Sequence, residues 1–212
     1  MKIVILNGGP RKGKNTDQMI DSLVEGIKSV SPDAEIQHIR LYDYLFTGCK
    51  SCFACQLTTK RNYPVCQIKD SVSNLISDTL NADGIVFASP VYYMNVTAQL
   101  RAFTERLMYP GARPFPIPTA VIYTMNATEE QEEQFMSPML QAFEMYLVGC
   151  FGVKPLVVQS CNTFQFNDKP VYNEGFRSSV EAKKAHREKQ FSKDLQAAYD
   201  VGERLIIKAK RC

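Results

Sequence analysis

Short apolar runs of strand length recur along this chain, and each is followed by a stretch with helical spacing. "KIVIL" (2–6) is a continuous apolar run, as expected of a strand covered on both faces. Met19, Ile20, Leu23, Val24, Ile27 and Val30 then follow at a 3.6-residue period. Asn15 or Thr16 is expected to cap that helix, and Asp17 and Asp21 suit its positive end. "AEIQHIRL" (34–41) reads as a second strand, more polar and so nearer an edge. Asp70 is placed to cap a helix carrying Val72, Leu75, Ile76 and Leu80. "GIVFAS" (84–89) is a buried strand, and Thr97 opens a helix with Leu100, Phe103, Leu107 and Met108 inward.

"TAVIYT" (119–124) is the fourth strand. Thr128 and Gln131 have capping-box spacing and open a helix reaching about Val148, which Pro138 should kink or restart. "KPLVVQS" (154–160) is the fifth strand, and a long charged helix with Phe191, Leu195, Tyr199, Leu205 and Ile206 closes the chain. Strands alternating with helices imply a parallel sheet with helices on both faces. Residues 1–212 read as one domain, with 162–177 as its loosest loop.

A formal charge of +3 and the lack of a basic stripe interleaved with aromatics argue against nucleic acid as a partner. No apolar run reaches membrane-span length, and "MKIVILNGGP" reads as a strand rather than a signal peptide. Seven cysteines, an odd number, fit a reducing, cytoplasmic compartment with free thiols or cofactor ligands.

"LNGGPRKGKNT" (6–16) joins the first strand to the first helix. Backbone amides at a helix N-terminus form a ready anion site. Gly8, Gly9 and Gly13 allow close backbone approach, and Arg11, Lys12 and Lys14 add charge. Gly8, Gly13 and Lys14 nearly complete a mononucleotide loop, but Asn15 stands where a magnesium-binding hydroxyl is needed. The strands ending "FAS", "YTM" and "VQS" supply no carboxylate for that metal, which argues against a nucleotide hydrolase. The dinucleotide fingerprint fails on spacing.

A flavodoxin-like fold fits better: three layers, with a five-stranded parallel sheet of order 2-1-3-4-5. There FMN lies at the switch point between the first and third strands. It needs an anion nest after strand one and an apolar, partly aromatic loop after strand three. "ASPVYYMNVTAQLRAF" (88–103) supplies the second, with Pro90 turning the chain and Tyr92, Tyr93 and Met94 offering flat or polarizable surface.

"GGPRKGKNT" resembles the phosphate loop of NAD(P)H-dependent FMN reductases, and "ADGIVFASPVYYMNVTAQLRAFTER" resembles their A-D-x-h-h-h-x-S-P-V-Y segment. "GCKSCFACQ…VCQIKD" is similar to the cysteine loop of the iron–sulfur flavoprotein branch and its cluster-free relatives. The resemblance covers the first half of the chain well and the second by architecture. It implies that Arg11, Asn15 and Thr16, with Gly9, Pro10 and Lys12 in the same loop, hold the FMN phosphate. It also implies that Pro90, Val91, Tyr92 and Tyr93, with Met94 beside them, line the isoalloxazine. Thr124 and Asn126 are placed near the ring by topology. The family's loop serine is Gly9 here, a loss worth about 1 kcal/mol or less unless Lys12 or Lys14 compensates.

Cys49, Cys52 and Cys55 form a C-x-x-C-x-x-C run, and ten residues separate Cys55 from Cys66. The run resembles cluster ligation more than the separated knuckles of structural zinc. A [4Fe–4S] cluster would need Cys66 as fourth ligand across a longer gap than the iron–sulfur flavoproteins use. A thiol-rich loop near the flavin is placed ahead of the cluster, so no metal is assigned, and a redox Cys49–Cys52 pair is a third reading. Cys150, Cys161 and Cys212 read as packing, and His38 and His186 fit no catalytic constellation.

The expected function is an FMN-dependent oxidoreductase. It takes a hydride from NADH or NADPH and passes electrons to a small acceptor such as a quinone, a nitro- or azo-compound, a flavin or iron. No side chain need act as acid or base, because the cofactor carries the chemistry. The alternative is an electron carrier between protein partners, but such carriers tend to be acidic and lack a loop like "PRKGK". The resemblance also implies a homodimer or homotetramer, with Tyr109, Phe115 and Phe164 as candidate contacts.

Overall fold

The computed structural model describes residues 1–57, 65–107, 116–165 and 180–211. The central sheet contains β1 (Lys2–Asn7), β2 (Glu35–Arg40), β3 (Gly84–Tyr92), a two-residue β4 (Asn95–Val96), β5 (Thr119–Thr124) and β6 (Leu156–Ser160). The parallel strands run in the order β2-β1-β3-β5-β6, which is the expected flavodoxin-like order. The addition is β4, which folds back antiparallel on the end of β3 through Val91↔Val96 and Tyr92↔Asn95. The polar second strand is indeed an edge.

Alternation along each strand splits the core into two layers. Val4, Leu6, Ile85, Phe87, Val121 and Tyr123 pack on one face with residues of α2 (Ser73–Leu80), α3 (Ala98–Glu105) and α5 (Ser137–Phe151). Ile3, Ile5, Val86, Ala88, Ala120 and Ile122 pack on the other with α1 (Asn15–Val30) and the final helix (Val180–Ala209). With α4 as the single turn Glu129–Gln131, that final helix is α6. Helices α1 and α6 touch backbone to backbone. A Cβ on Gly26 would stand 2.0 Å from the Tyr199 carbonyl oxygen, and one on Gly202 would stand 2.1 Å from that of Leu23.

The helix starts follow local chemistry. Thr97 caps α3 by accepting the Leu100 N–H, and Thr128 and Gln131 close a reciprocal capping box. A π-type turn over Glu132–Met136 then absorbs the break, and Pro138 sits in the first turn of α5, where its missing N–H costs nothing. Asp70 accepts from Val72 N–H at 3.2 Å but also pairs with Arg106, so it anchors the turn preceding α2. The N-cap of α1 is Lys14, with no side-chain cap, rather than Asn15 or Thr16, whose side chains are engaged elsewhere. The expectations for Met108, Tyr109, Phe115, Cys212 and residues 166–177 lie outside the described residues.

Candidate functional site

The loop after β1 is braced from within. Asn7 is fully buried; its Oδ1 accepts the Gly9 N–H at 2.8 Å, and its Nδ2 donates to Asp17 Oδ1 at 2.8 Å. Gly8 donates to the Ala88 carbonyl at 2.8 Å, and its own carbonyl accepts from Thr97 Oγ1 at 2.9 Å. A Cβ on Gly8 would lie 2.6 Å from that hydroxyl, so only glycine fits. Gly13 adopts φ +70°, and its N–H bonds Asp17 Oδ2, which also takes Arg40. Burial opposes the Asp17 charge, but Arg40, the Gly13 N–H and Asn7 together hold its carboxyl below the ordinary range.

The glycine amides thus shape the loop. Among the described residues, the backbone amides of Arg11, Lys12, Asn15 and Thr16 have no partner. They stand at the uncapped start of α1, where an anion is favoured.

The second wall is the turn from β3 to β4. Ser89 Oγ accepts the Thr97 N–H at 3.0 Å and ties the strand end to α3. Tyr93 and Met94 form the two-residue tip with φ of 48° and 67°, a geometry usually left to Asn and Gly. Holding two bulky residues there costs about 1 kcal/mol or more each. The tip leaves Tyr92 41% exposed and Tyr93 fully exposed.

The third wall joins β5 to the loop after β6. Thr16 Oγ1 and Thr124 Oγ1 lie 2.8 Å apart and fasten α1 to the end of β5. Thr163 donates its N–H and its hydroxyl to the Met125 carbonyl. Arg11 Nη1 donates to the Gln165 carbonyl at 2.7 Å, and Asn15 Nδ2 donates to that of Phe164 at 2.9 Å.

These walls enclose a cleft of about 500 Å3. It is lined by Gly9, Pro10, Arg11, Asn15, Thr16, Pro90, Val91, Tyr92, Tyr93, Thr124 and Asn126, all expected from the sequence. Lys12 and Met94 do not line it: Lys12 turns away to Asp43 at 3.3 Å, and Met94 rides on the outside of the hairpin. Lys14, Met125, Thr163 and Gln165 complete the lining. The sequence marked Lys14 only as a source of charge, and the other three carry no local signal.

Asn15 lines the cleft with its side-chain amide held in place, Nδ2 donating to the Phe164 carbonyl and Oδ1 accepting from Arg187 at 2.6 Å. What it can offer an anion is its backbone N–H and the second N–H of its amide. No carboxylate lines the cleft among the described residues, while Arg11 and Lys14 do. The unpartnered amides, the cations and the aromatic hairpin fit a phosphate-bearing planar ligand such as FMN.

A second, more apolar hollow of about 610 Å3 shares Tyr92 and Tyr93 with the cleft and is walled by Tyr42, Arg101, Phe143 and Tyr146. The cysteines lie elsewhere. Cys49, Cys55 and Cys66 line a cavity of about 210 Å3 with Glu105, Arg106 and Leu107, beyond the C-terminal end of α3. This cavity and the cleft share no lining residue. Among the described residues no cysteine lines the cleft. Arg106, its guanidinium fully buried, bonds Asp70 at 2.6 Å and the Ile68 carbonyl at 3.2 Å, which pins the returning limb of that loop. Among the described residues no three His, Cys, Asp or Glu side chains converge on one metal position. Burial pushes the Cys161 thiol up to about 12, consistent with a packing role.

Comparison with known proteins gives these features a context. The sequence profile of the NADPH-dependent FMN reductase family matches residues 1–153. An iron-sulfur flavoprotein of Archaeoglobus fulgidus is 31% identical over 164 residues, covering 73% of this chain and 70% of the relative. The NAD(P)H:quinone oxidoreductase from Methanothermobacter marburgensis superposes with a TM-score of 0.62 at 17% identity, over 97% of both chains. An FMN-dependent NADH-azoreductase from Bacillus anthracis, solved with FMN, gives 0.61 at 15% identity, over 99% of this chain and 100% of that one. The two structures share the fold, and the profile with the Archaeoglobus relative carries the family: the chain belongs to the NADPH-dependent FMN reductases.

Proposed function

We propose that this protein is an FMN-dependent NAD(P)H oxidoreductase that delivers electrons to a small acceptor: a quinone, a nitro- or azo-compound, a flavin or iron. The observation that carries the reading is one cleft combining unpartnered amides, Arg11 and Lys14 at one end with the Tyr92–Tyr93 hairpin at the other. When bound, FMN would supply hydride and electron transfer. The chain's own residues then bind and orient. The amides of Asn15 and Thr16, with Arg11, hold the phosphate. Thr16 and Thr124 fix the distance between phosphate loop and ring wall. Pro90, Val91 and Tyr92 form the flat support, and Tyr93 stands at the mouth. No general acid or base is required.

The fully exposed Tyr93, with Phe135 exposed in the π-type turn and Met139 and Met145 exposed on α5, supports a homodimer or homotetramer. The free thiols of the described cysteines fit a reducing, cytoplasmic location. Among the described residues no helix is long and apolar enough to cross a membrane. Steady-state oxidation of NADH and NADPH with a quinone or azo acceptor tests the reading. FMN-dependent turnover is expected, and FMN-loaded protein that turns over neither nucleotide would refute it.

A second reading has one observation in its favour. Three cysteines share a cavity in a chain whose Archaeoglobus relative is named an iron-sulfur flavoprotein. On that reading the protein relays electrons between protein partners. Iron and sulfide analysis after anaerobic purification separates the two, with near-stoichiometric iron favouring the relay.

A further inference from the structure

Helix α6 brings two cations, four residues apart, against the back of the cleft. Lys183 is only 7% exposed. Its Nζ donates to the Asn126 carbonyl at 2.8 Å and to Asn162 Oδ1 at 2.6 Å. Arg187, half-buried, donates to Asn15 Oδ1 at 2.6 Å and Gln18 Oε1 at 2.7 Å, and its guanidinium lies 3.9 Å from the Phe191 ring centroid. All four acceptors are uncharged. Among the described residues neither cation pairs with a carboxylate. The nearby acids are engaged elsewhere: Asp194 accepts from Ser160 and Gln190, and Glu129 faces His186 at 3.9 Å. Burial holds both cations below their ordinary pKa values.

A buried cation without a counter-charge is costly, and the cost is offset when a ligand brings the missing negative charge. The two cations back different walls. Arg187 steadies Asn15 in the phosphate loop, whereas Lys183 steadies the Asn126 segment on the ring side.

We propose that Lys183 and Arg187 divide the bound flavin between them, Lys183 as the positioning charge that raises the ring's reduction potential and Arg187 as the positioning residue for the phosphate loop. The inference rests on the flavin reading above. Hydride transfer from a nicotinamide brings two electrons and one proton, so the ring gains one negative charge. A fixed cation behind the ring wall favours that reduced form over the neutral oxidised form. A cation acting through the phosphate loop favours both forms alike, because the phosphate does not change.

The test uses the full chain loaded with FMN, with affinity for oxidised FMN and the midpoint potential both measured. Lys183→Gln keeps a hydrogen-bond donor and removes the charge. It is expected to lower the potential, weakening reduced FMN about fivefold or more relative to oxidised FMN, and Lys183→Arg should restore it. Arg187→Met is expected to weaken both forms about equally, by roughly tenfold, at unchanged potential. A Lys183→Gln protein with the wild-type potential overturns the assignment, as does an Arg187→Met protein with altered potential and intact affinity. Wild-type protein that binds no FMN would instead overturn the flavin reading itself, so the two failures are distinguishable.

Discussion

Asp17 illustrates how single residues hold the candidate site. Its carboxylate takes the Gly13 N–H, Asn7 and Arg40, so one side chain joins the glycine turn, the end of β1 and the end of β2. The folded chain holds this carboxyl below its ordinary pKa, against the opposing effect of burial. The stability it contributes is therefore complete above the unfolded value, near pH 4. It is lost as pH falls below that toward the folded value. Asp17→Asn should cost about 2 kcal/mol near neutrality and flatten the acid limb of a stability–pH curve. Urea titrations across pH 3 to about pH 7 would measure both, and an unchanged acid limb would contradict the assignment.

At the same scale, part of the site was readable beforehand and part was not. Gly9, Arg11, Thr16 and the Pro90–Tyr93 run lie within two short segments, where turn chemistry and helix-start chemistry act locally. Thr163 and Gln165 line the cleft, and Lys183 and Arg187 brace its walls, through contacts such as Arg187 with Asn15, 172 residues apart, which no local pattern encodes. Lys12 was misplaced for the same reason. Its alternative partner, Asp43, belongs to a different strand's end.

Among the elements, the α1–α6 pair has the least tolerance. Two glycines let the helices approach until a methyl group would overlap a carbonyl on the opposite backbone. Gly26→Ala and Gly202→Ala should each destabilise by about 2–3 kcal/mol or more. The double variant should cost less than the sum, because either methyl alone already forces the helices apart. Equilibrium denaturation of the three variants checks this, and additive small losses would mean that the interface yields easily. The strand order, the edge position of β2, the Thr128–Gln131 box and the restart at Pro138 were all legible, because each follows from apolar periodicity or a few adjacent residues. The hairpin tip was not, since nothing about Tyr93 and Met94 favours positive φ. Their strain is imposed by the pairing of Val91 with Val96 and of Tyr92 with Asn95.

At the scale of the whole molecule, the carboxyl edge of the sheet gathers the loops after β1, β3, β5 and β6 around one cleft, and α6 supplies charge from behind. Cys49, Cys55 and Cys66 line a separate cavity with Glu105 at the far end of α3. The central claim is that the first of these loops grips a phosphate. Isothermal titration with FMN and with riboflavin, which has the same ring and no phosphate, tests it most directly. The account predicts that FMN binds about a hundredfold tighter or more, and that Arg11→Ala removes much of the difference. Equal affinity for the two, or no binding of either, would contradict it.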